Sequence, residues 1–504
     1  MKSVAYLFIF SLFIFQNATA QPSILWEKEF GGSKFDWNAD FIRTNDGNWL
    51  FAGVSTSPDG DVPGHFGANT WDPWVFKTDT TGTIIWSKNF GGSGQEEGGT
   101  IFENPDGTFW LVGETHSSDG LFTANKGRWD IYVLKISASG DPLLNKTFGG
   151  TGADDFSGAL PTADGGLIFL GSIWSSSGSG DVIFNHGERD CWLVKLNSEA
   201  EIEWQKSIGG SKHESESSLL KSKRGGYWLV TSSQSSDGDF PTLDGAEDTW
   251  VLRLDDFANI IWKQRIGLPR EITSFNATED ANGNLAVVEF TGNNAMTLEI
   301  FTPDGSLHSK NNLDHIFLPG SYWQGFRTTD DGGFYFFGVN ASDAGFLTKT
   351  NDRLEIIWKH IFQNDGVIIP RQVVSLEDHS LLVIGAAADS SIFFNFEQDV
   401  QIWVTKMEDR STRLDEIDKS DFQIFPNPVS KGESLKVSFK NDFVGEVKIE
   451  ILSLDGRVLQ VFEIEKTTEG QIFEIENLPD ANLFFVRLSD GKKSVIKPVT
   501  RFSK

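Results

Sequence analysis

Cysteine is nearly absent. Of 504 residues only Cys191 is one, so no intramolecular disulfide can form and the core itself must supply the stability. Histidine is sparse too: the eight (His65, His116, His186, His213, His308, His315, His360 and His379) show no paired ligand spacing, which argues against zinc. His213 reads as a loop histidine beside an acidic position. Cations are in deficit, 43 Lys and Arg against 71 Asp and Glu, a formal net charge of −28. Such a surface repels phosphate backbones and excludes nucleic acid as a partner. Beyond the N-terminal stretch no segment approaches the uninterrupted apolar run of about 18 residues that a transmembrane helix needs. The G-x-S-x-G elbow, H-E-x-x-H, the P-loop and a helix-opening G-x-G-x-x-G are all missing. Cys191 lies in the apolar pattern 190-DCW-192, a poor setting for thiol catalysis.

What is plentiful is aromatic and turn-forming: 42 Phe, 17 Trp and 51 Gly. Large flat side chains alternating with turn formers favour many short strands over helices. The chain opens with Met1-Lys2, an apolar run from Val4 to Phe15 broken by Ser11, and Ala18-Thr19-Ala20 before Gln21. This is the pattern of a secretory signal peptide, residues 1–20, and no Cys follows the cut to take a lipid. Export to the periplasm is expected first, and a secreted, extracellular or cell-surface protein in the end.

Self-similarity dominates residues 21–409. A column close to W-x-K contains Trp26, Trp86, Trp204, Trp262 and Trp358, with Leu144 standing in, and successive steps from Trp26 to Trp262 are 60, 58, 60 and 58 residues. A turn such as 44-TNDGN-48, 104-NPDG-107 or 162-TADGG-166 follows, then a segment running into Gly (49-WLFAG-53, 167-LIFLG-171, 334-FYFFG-338). The last segment is D-x-W-V-x-K, as in 72-DPWVFK-77, 130-DIYVLK-135, 190-DCWLVK-195 and 248-DTWVLR-253. Seven units are traceable, at about 24–82, 83–140, 141–198, 199–257, 258–305, 306–352 and 353–409. Four short apolar segments per unit predict a four-stranded antiparallel meander. A sheet apolar on both faces must stack on others, and radial stacking leaves only short edges. The expected fold is therefore all-β: a seven-bladed β-propeller followed by a smaller domain.

These units resemble the bacterial propeller repeats with GGS-x-x-D, T-x-DGG, S-x-S-x-DGD and D-x-WV-x-KL motifs, common in Bacteroidetes-type exported proteins. The resemblance is good for units one to four and looser for the rest. It implies architecture and hardly any activity.

After Asp409 the character changes. Residues 410–421 (RSTRLDEIDKSD) are polar and read as a linker. Residues 422–504 alternate strongly, as in 446-EVKIEILSLDGRVL-459 and 471-QIFEIENLP-479, predicting a compact all-β domain, a small sandwich. This block resembles the type A C-terminal sorting domain of the type IX secretion (Por) system. The matching residues are Pro426, Asn427 and Pro428, the strand-turn 448-KIEILSLDGRVL-459, the 478-LP-479 step and a basic-apolar ending around Lys497. Ala481 and Asn482 stand where the family usually has a glycine. The resemblance implies the type IX secretion machinery as a partner.

Two sets of site residues emerge. Five residues past the first Gly of each Gly-Gly pair lie Asp36, Glu96, Asp154 and Glu214, with Glu271 at the matching place in unit five. A ring of such carboxylates is a candidate Ca²⁺ site. The favoured reading is structural, each acid hydrogen-bonding backbone N–H groups of its own turn; no other metal or cofactor is indicated. The second set is aromatic. Twelve Trp fall in the repeat columns and read as core, whereas Trp37, Trp71, Trp129, Trp174 and Trp323 fall between columns and are candidate ligand-stacking residues.

The function these features favour is an exported binding or adhesion protein recognising a glycan or protein ligand through loops at one mouth, without catalysis. The alternative is a propeller-type polysaccharide-degrading enzyme, a lyase or glycoside hydrolase. Such an enzyme needs a unit-specific cluster of His, Tyr, Arg or paired carboxylates at one mouth. With 5 Tyr and scattered His, no such cluster is visible in the sequence.

Overall fold

The computed structural model describes residues 22–502 with short breaks, the longest at 389–398 and 410–421. The expected signal peptide (1–20) and linker (410–421) thus lie outside the described residues. The described residues contain strands and turns and no helix.

The four apolar segments of each unit become the strands of a meander, and the described residues hold seven four-stranded sheets of this kind. Their first strands are Asp36–Arg43, Glu96–Glu103, Asp154–Pro161, Glu214–Lys221, Ile272–Glu279, Tyr322–Thr328 and Val367–Ser375, here the inner strands of blades 1 to 7. Second and third strands such as Trp49–Ser55, Asp72–Thr78, Leu167–Ile173 and Asp190–Leu196 are buried at every residue. That is what coverage of both sheet faces requires, and it accounts for runs such as LIFLGSI that do not alternate.

The cores lie between the sheets. Trp110, Val112 and Val133 of blade 2 pack with Phe169, Trp192 and Val194 of blade 3. Comparable seams join blades 1 and 2, 3 and 4, 4 and 5, 5 and 6, and 6 and 7. The seventh seam sets Phe35 and Val54 of blade 1 against Ala386, Ala388 and Val400 of blade 7. Seven sheets with seven seams form a closed ring, a seven-bladed β-propeller.

Ring closure sets the phase of the repeat. The strand Ser23–Phe30, which opens the first sequence unit, is the outer strand of blade 7, beside Val400–Glu408. There the Thr405 hydroxyl donates to the Trp26 carbonyl at 3.1 Å and Trp403 Nε1 donates to Glu27. Each later W-x-K strand is likewise the outer strand of the preceding blade, so sequence units and sheets are offset by one strand. A strand from the start of the chain completing the last sheet leaves no open seam for the ring to lose.

The repeated motifs have visible uses. In the regular units the W-x-K lysine ties one blade to the next at the perimeter: Lys28 Nζ donates to the Gly82 carbonyl (2.8 Å), Lys88 reaches Asp141 (2.9 Å) and Lys146 reaches Glu201 (2.5 Å). The Trp does the same, Trp86 Nε1 donating to the Ala138 carbonyl and Trp262 Nε1 to that of Pro303, each at 3.0 Å. Within a blade the D-x-W-V-x-K lysine meets the T-x-D-G aspartate, as Lys77 does Asp46 and Lys195 does Asp164, both at 2.7 Å. Burial opposes ionisation of Asp164, yet bonds from Lys195 and Thr162 hold its carboxyl down at about 2.

Every inner strand is also bulged, six of them opposite the same stretch of the second strand and that of blade 5 nearer the mouth. Its register with the second strand slips between Asn38 and Asp40, Glu97 and Thr100, Phe156 and Gly158, Ser215 and Ser218, Ile272 and Ser274, Trp323 and Gly325, and Pro370 and Gln372. Bulges unpair backbone groups and re-aim side chains. Acids of the preceding blade take two of the inner-strand N–H groups near them: Ile101 N donates to Asp40 (3.0 Å) and Phe156 N to Glu114 (2.6 Å).

The C-terminal residues form a separate unit, a small β-sandwich. A three-stranded sheet (Phe422–Phe425, Leu435–Phe439, Ile472–Ile475) and a five-stranded one (Val429–Ser430, Ser494–Phe502, Leu483–Ser489, Gly445–Leu452, Val458–Lys466) enclose one core. Val437 and Ile475 from the first meet Ile449, Ile451, Phe484 and Val486 from the second. Asn427 of the expected sorting signal is exposed. Pro426, Pro428 and the side chain of Lys497 lie outside the described residues, the Lys497 backbone pairing with Val486.

Candidate ligand-binding mouth

One end of every regular blade gathers the start of its inner strand, the end of its second and the start of its third. The register runs Asp36–Ser55–Asp72 in blade 1, Glu96–Thr115–Asp130 in blade 2, Asp154–Ile173–Asp190 in blade 3 and Glu214–Ser233–Asp248 in blade 4. The Gly-Gly turns and the S-x-DGD loops therefore share one mouth of the ring.

The four repeated acids there are wholly buried. Each accepts the N–H of the second glycine of its own turn: Gly32 N to Asp36 at 2.7 Å, Gly92 N to Glu96 at 3.1 Å, Gly150 N to Asp154 at 2.6 Å and Gly210 N to Glu214 at 3.1 Å. Hydroxyls complete the set, Ser57 on Asp36 (2.9 Å), Thr115 on Glu96 (2.7 Å), Ser175 on Asp154 (2.7 Å), and Ser233 and Ser235 on Glu214 (2.6 and 2.7 Å). The DGD loops serve the same turns, Asp59 accepting from Ser33 N (2.8 Å) and Asp237 from Ser211 N (2.7 Å).

In blades 2 to 4 the first glycine of the turn separates the acid from the third-strand Asp of the blade before, whereas in blade 1 Gln401 of blade 7 takes that Asp's place. A Cβ on Gly149 would stand 2.4 Å from Asp130 Oδ1 and 2.9 Å from Asp154 Oδ2, which is why no side chain fits there. In blades 2 to 4 the acids so meet two by two at blade seams. Burial pushes Asp36 up to about 6, Asp130 to about 6 and Glu214 to about 7, the neighbouring carboxylate adding to the last two. Asp72 rises to about 8, by burial and then by Glu96. Among the described residues no three His, Cys, Asp or Glu side chains converge as a metal ion would require. Glu271 lies outside the described residues.

On this repeated frame sit side chains that change from blade to blade. In blade 1, Phe35 stacks on Trp37 and on Trp71, each at 5.6 Å between ring centroids. In blade 2, Trp129 stacks on His116 at 5.3 Å. In blade 3, Trp174 is 44% exposed and flanked by the Arg189 guanidinium (5.4 Å) and by His213 of blade 4 (5.0 Å). His213 in turn lies 3.0 Å from Glu188. Trp37, Trp71, Trp129 and Trp174 thus all lie at this mouth; the side chain of Trp323 is outside the described residues.

Beside these rings lies a cluster that spacing along the sequence does not reveal. Glu97 stands directly opposite Glu114 in blade 2. Glu114 reaches blade 3 through Phe156 N, next to Asp155, which Arg189 holds at 2.7 Å. Burial and the charges of Glu97 and Asp155 push the Glu114 carboxyl up to about 8, against the bond from Phe156 N and the Arg189 charge. Glu97 is raised as well, by burial first. The four residues come from positions 97, 114, 155 and 189, so no local motif contains them. Their signal is comparative: they are the positions that differ between units whose neighbours agree. Cys191 is buried, and its thiol is pushed up to about 12 by burial.

The chain therefore joins an all-β propeller to a C-terminal β-sandwich. Residues 423–500 match the family model described as the secretion system C-terminal sorting domain. That domain marks proteins exported by type IX secretion, so it engages that machinery and the protein goes to the cell surface or the extracellular space. No curated protein matches the chain. Among solved structures it is similar to BBS1N from a complex with ARL6DN, at 12% identity over 78% of this chain and 98% of that one, TM-score 0.43. It is also similar to the NanB sialidase of Streptococcus pneumoniae, at 10% identity over 78% and 71% of the chains, TM-score 0.40. A GH93 alpha-L-arabinofuranosidase of Fusarium graminearum gives 10% identity over 76% and 97%, TM-score 0.40. Likenesses at these levels carry no activity across. No helix among the described residues is long and apolar enough to cross a membrane.

Proposed function

We propose that this exported propeller binds carbohydrate at the mouth formed by blades 2 to 4. The observation that carries the reading is the group of unit-specific side chains, Trp129, Trp174, Glu97, Asp155 and Arg189, mounted on a frame that is otherwise the same in each regular blade. Aromatic faces take the C–H faces of sugar rings, carboxylates accept hydroxyl protons, and a guanidinium donates to ring and hydroxyl oxygens. Rings held by stacking partners lose little freedom on binding.

A glycan array with the exported protein, followed by calorimetry on the best ligand, tests this. Trp174→Ala is expected to weaken binding at least tenfold without lowering the melting temperature; unchanged affinity in that variant refutes the site.

One observation favours a hydrolytic second reading. Glu114, up to about 8, would hold a proton at neutral pH beside two further carboxyls, the division of roles that glycoside hydrolysis uses. A reducing-end assay on the bound glycan, run against Glu97→Gln, decides between binding and turnover.

A further inference from the structure

The half-buried arginines of the propeller face carboxylates. Arg189 meets Asp155 at 2.7 Å, Arg265 meets Asp248 at 2.8 Å, and Arg327, on the inner strand of blade 6, has Asp40 as its opposing charge. Arg371 differs. Among the described residues it has neither a carboxylate partner nor a hydrogen-bond acceptor; its contact is with Trp37 of blade 1, whose ring centroid lies 4.5 Å from the guanidinium carbon. Burial alone lowers its pKa to about 10, still far above neutrality.

Its place in the fold is equally particular. Arg371 is the residue inserted at the bulge of the blade 7 inner strand, between Pro370 and Gln372. The residues inserted at the other bulges are Ala39, the pair Gly98 and Gly99, Ser157, the pair Glu216 and Ser217, Thr273 and Gln324, none of them cationic. Arg371 is thus the one cation that the bulges aim, and it lies on the flank of the Trp37–Phe35–Trp71 stack.

A half-buried guanidinium that no carboxylate holds keeps its planar N–H fork available, and that fork suits a carboxylate or sulfate. We propose that Arg371, held over Trp37, forms a subsite for an oxoanion carried on a sugar, a uronate carboxylate or a sulfate ester. The inference rests on the carbohydrate reading of the mouth and narrows it to acidic glycans. A chain of net charge −28 repels polyanions, so the ligand it fits carries one or a few charges on an otherwise neutral oligosaccharide.

The test is calorimetry on the exported protein with three probes: trigalacturonate, a monosulfated trisaccharide and maltotriose. At least one acidic probe is expected to bind tenfold or more tighter than maltotriose, and comparing the two identifies the anion as carboxylate or sulfate. Arg371→Gln should abolish that preference, while Arg371→Lys, keeping the charge without the fork, should lose part of it. Trp174→Ala, in the blade 2 to 4 mouth, should weaken all three probes and leave the preference intact, which separates this subsite from the wider reading. Melting curves establish that each variant is folded, and Trp37→Leu provides a second route if Arg371→Gln is not. No preference for acidic probes in the wild type, or the same preference in folded Arg371→Gln, overturns the proposal.

Discussion

The perimeter of the propeller and its mouth are built from the same strands, yet they vary in opposite ways. At the perimeter the same contact recurs from blade to blade, the Lys28, Lys88 and Lys146 ties and the Trp86 and Trp262 indoles each reaching the next blade. At the mouth the places that follow the second strand hold Thr56, His116, Trp174 and Gln234, and those before the third hold Trp71, Trp129, Arg189 and Glu247. Repeated contacts hold one blade on the next; residues that differ at equivalent places are released from that duty. In a repeat protein the function therefore belongs where the repeat breaks.

Four experiments probe this contrast. The largest effect belongs to the seams: Trp192→Ala empties a fully buried site between blades 2 and 3 and should cost about 3–5 kcal/mol, read by denaturant unfolding. Next is the mouth frame, where Gly149→Ala drives a methyl against Asp130 and Asp154 and should cost about 1–3 kcal/mol in the same assay.

Third is pH. Asp72 and Glu114 at about 8, Glu214 and Glu289 at about 7, and Asp36 at about 6 hold protons in the folded chain that the unfolded chain has released. Folding thus takes up protons in that window, and stability should fall as pH rises from about 4 towards 8. Below about 4 the sign reverses, because Asp164 and Asp331 are held low despite their burial, by hydrogen bonds from Lys195 and Thr162 and from Thr329 and Lys349, and lose those interactions on protonation. Thermal melts should peak on the acid side of neutrality; a melting temperature that climbs steadily to pH 8 contradicts this. The smallest effect is at the rim, where Lys88→Met removes a largely exposed ion pair and should shift stability by less than about 1 kcal/mol.

The repeat columns made the strands, the turns and the Gly-Gly–acid spacing readable from the sequence. Period and punctuation are local properties, and so is the alternation of the C-terminal sandwich. The phase of the sheets was not readable, because the partner of Trp26 is Thr405, at the far end of the propeller. The inner-strand bulges were hidden as well, since Arg371 differs from an ordinary strand residue only in what the second strand leaves opposite it. Trp37, Trp71, Trp129 and Trp174 were found as residues outside the columns. Glu97, Glu114, Asp155 and Arg189 were missed, because three-dimensional adjacency across a blade seam leaves no spacing rule in the chain.

Asp154 and Asp155 put the contrast into two adjacent residues. Asp154 is fully buried and holds the Gly150 N–H and the Ser175 hydroxyl; Asp155 is half-buried and pairs with Arg189 at the mouth. Unfolding free energy and glycan affinity measured together on Asp154→Ala and Asp155→Ala test the division most directly. Asp154→Ala should lose about 1–3 kcal/mol of stability by stranding buried donors, with affinity changed little in the fraction that remains folded. Asp155→Ala should lose affinity at least tenfold with stability within about 0.5 kcal/mol. The reverse pattern, binding lost with Asp154 and stability lost with Asp155, would contradict the assignment of frame and function.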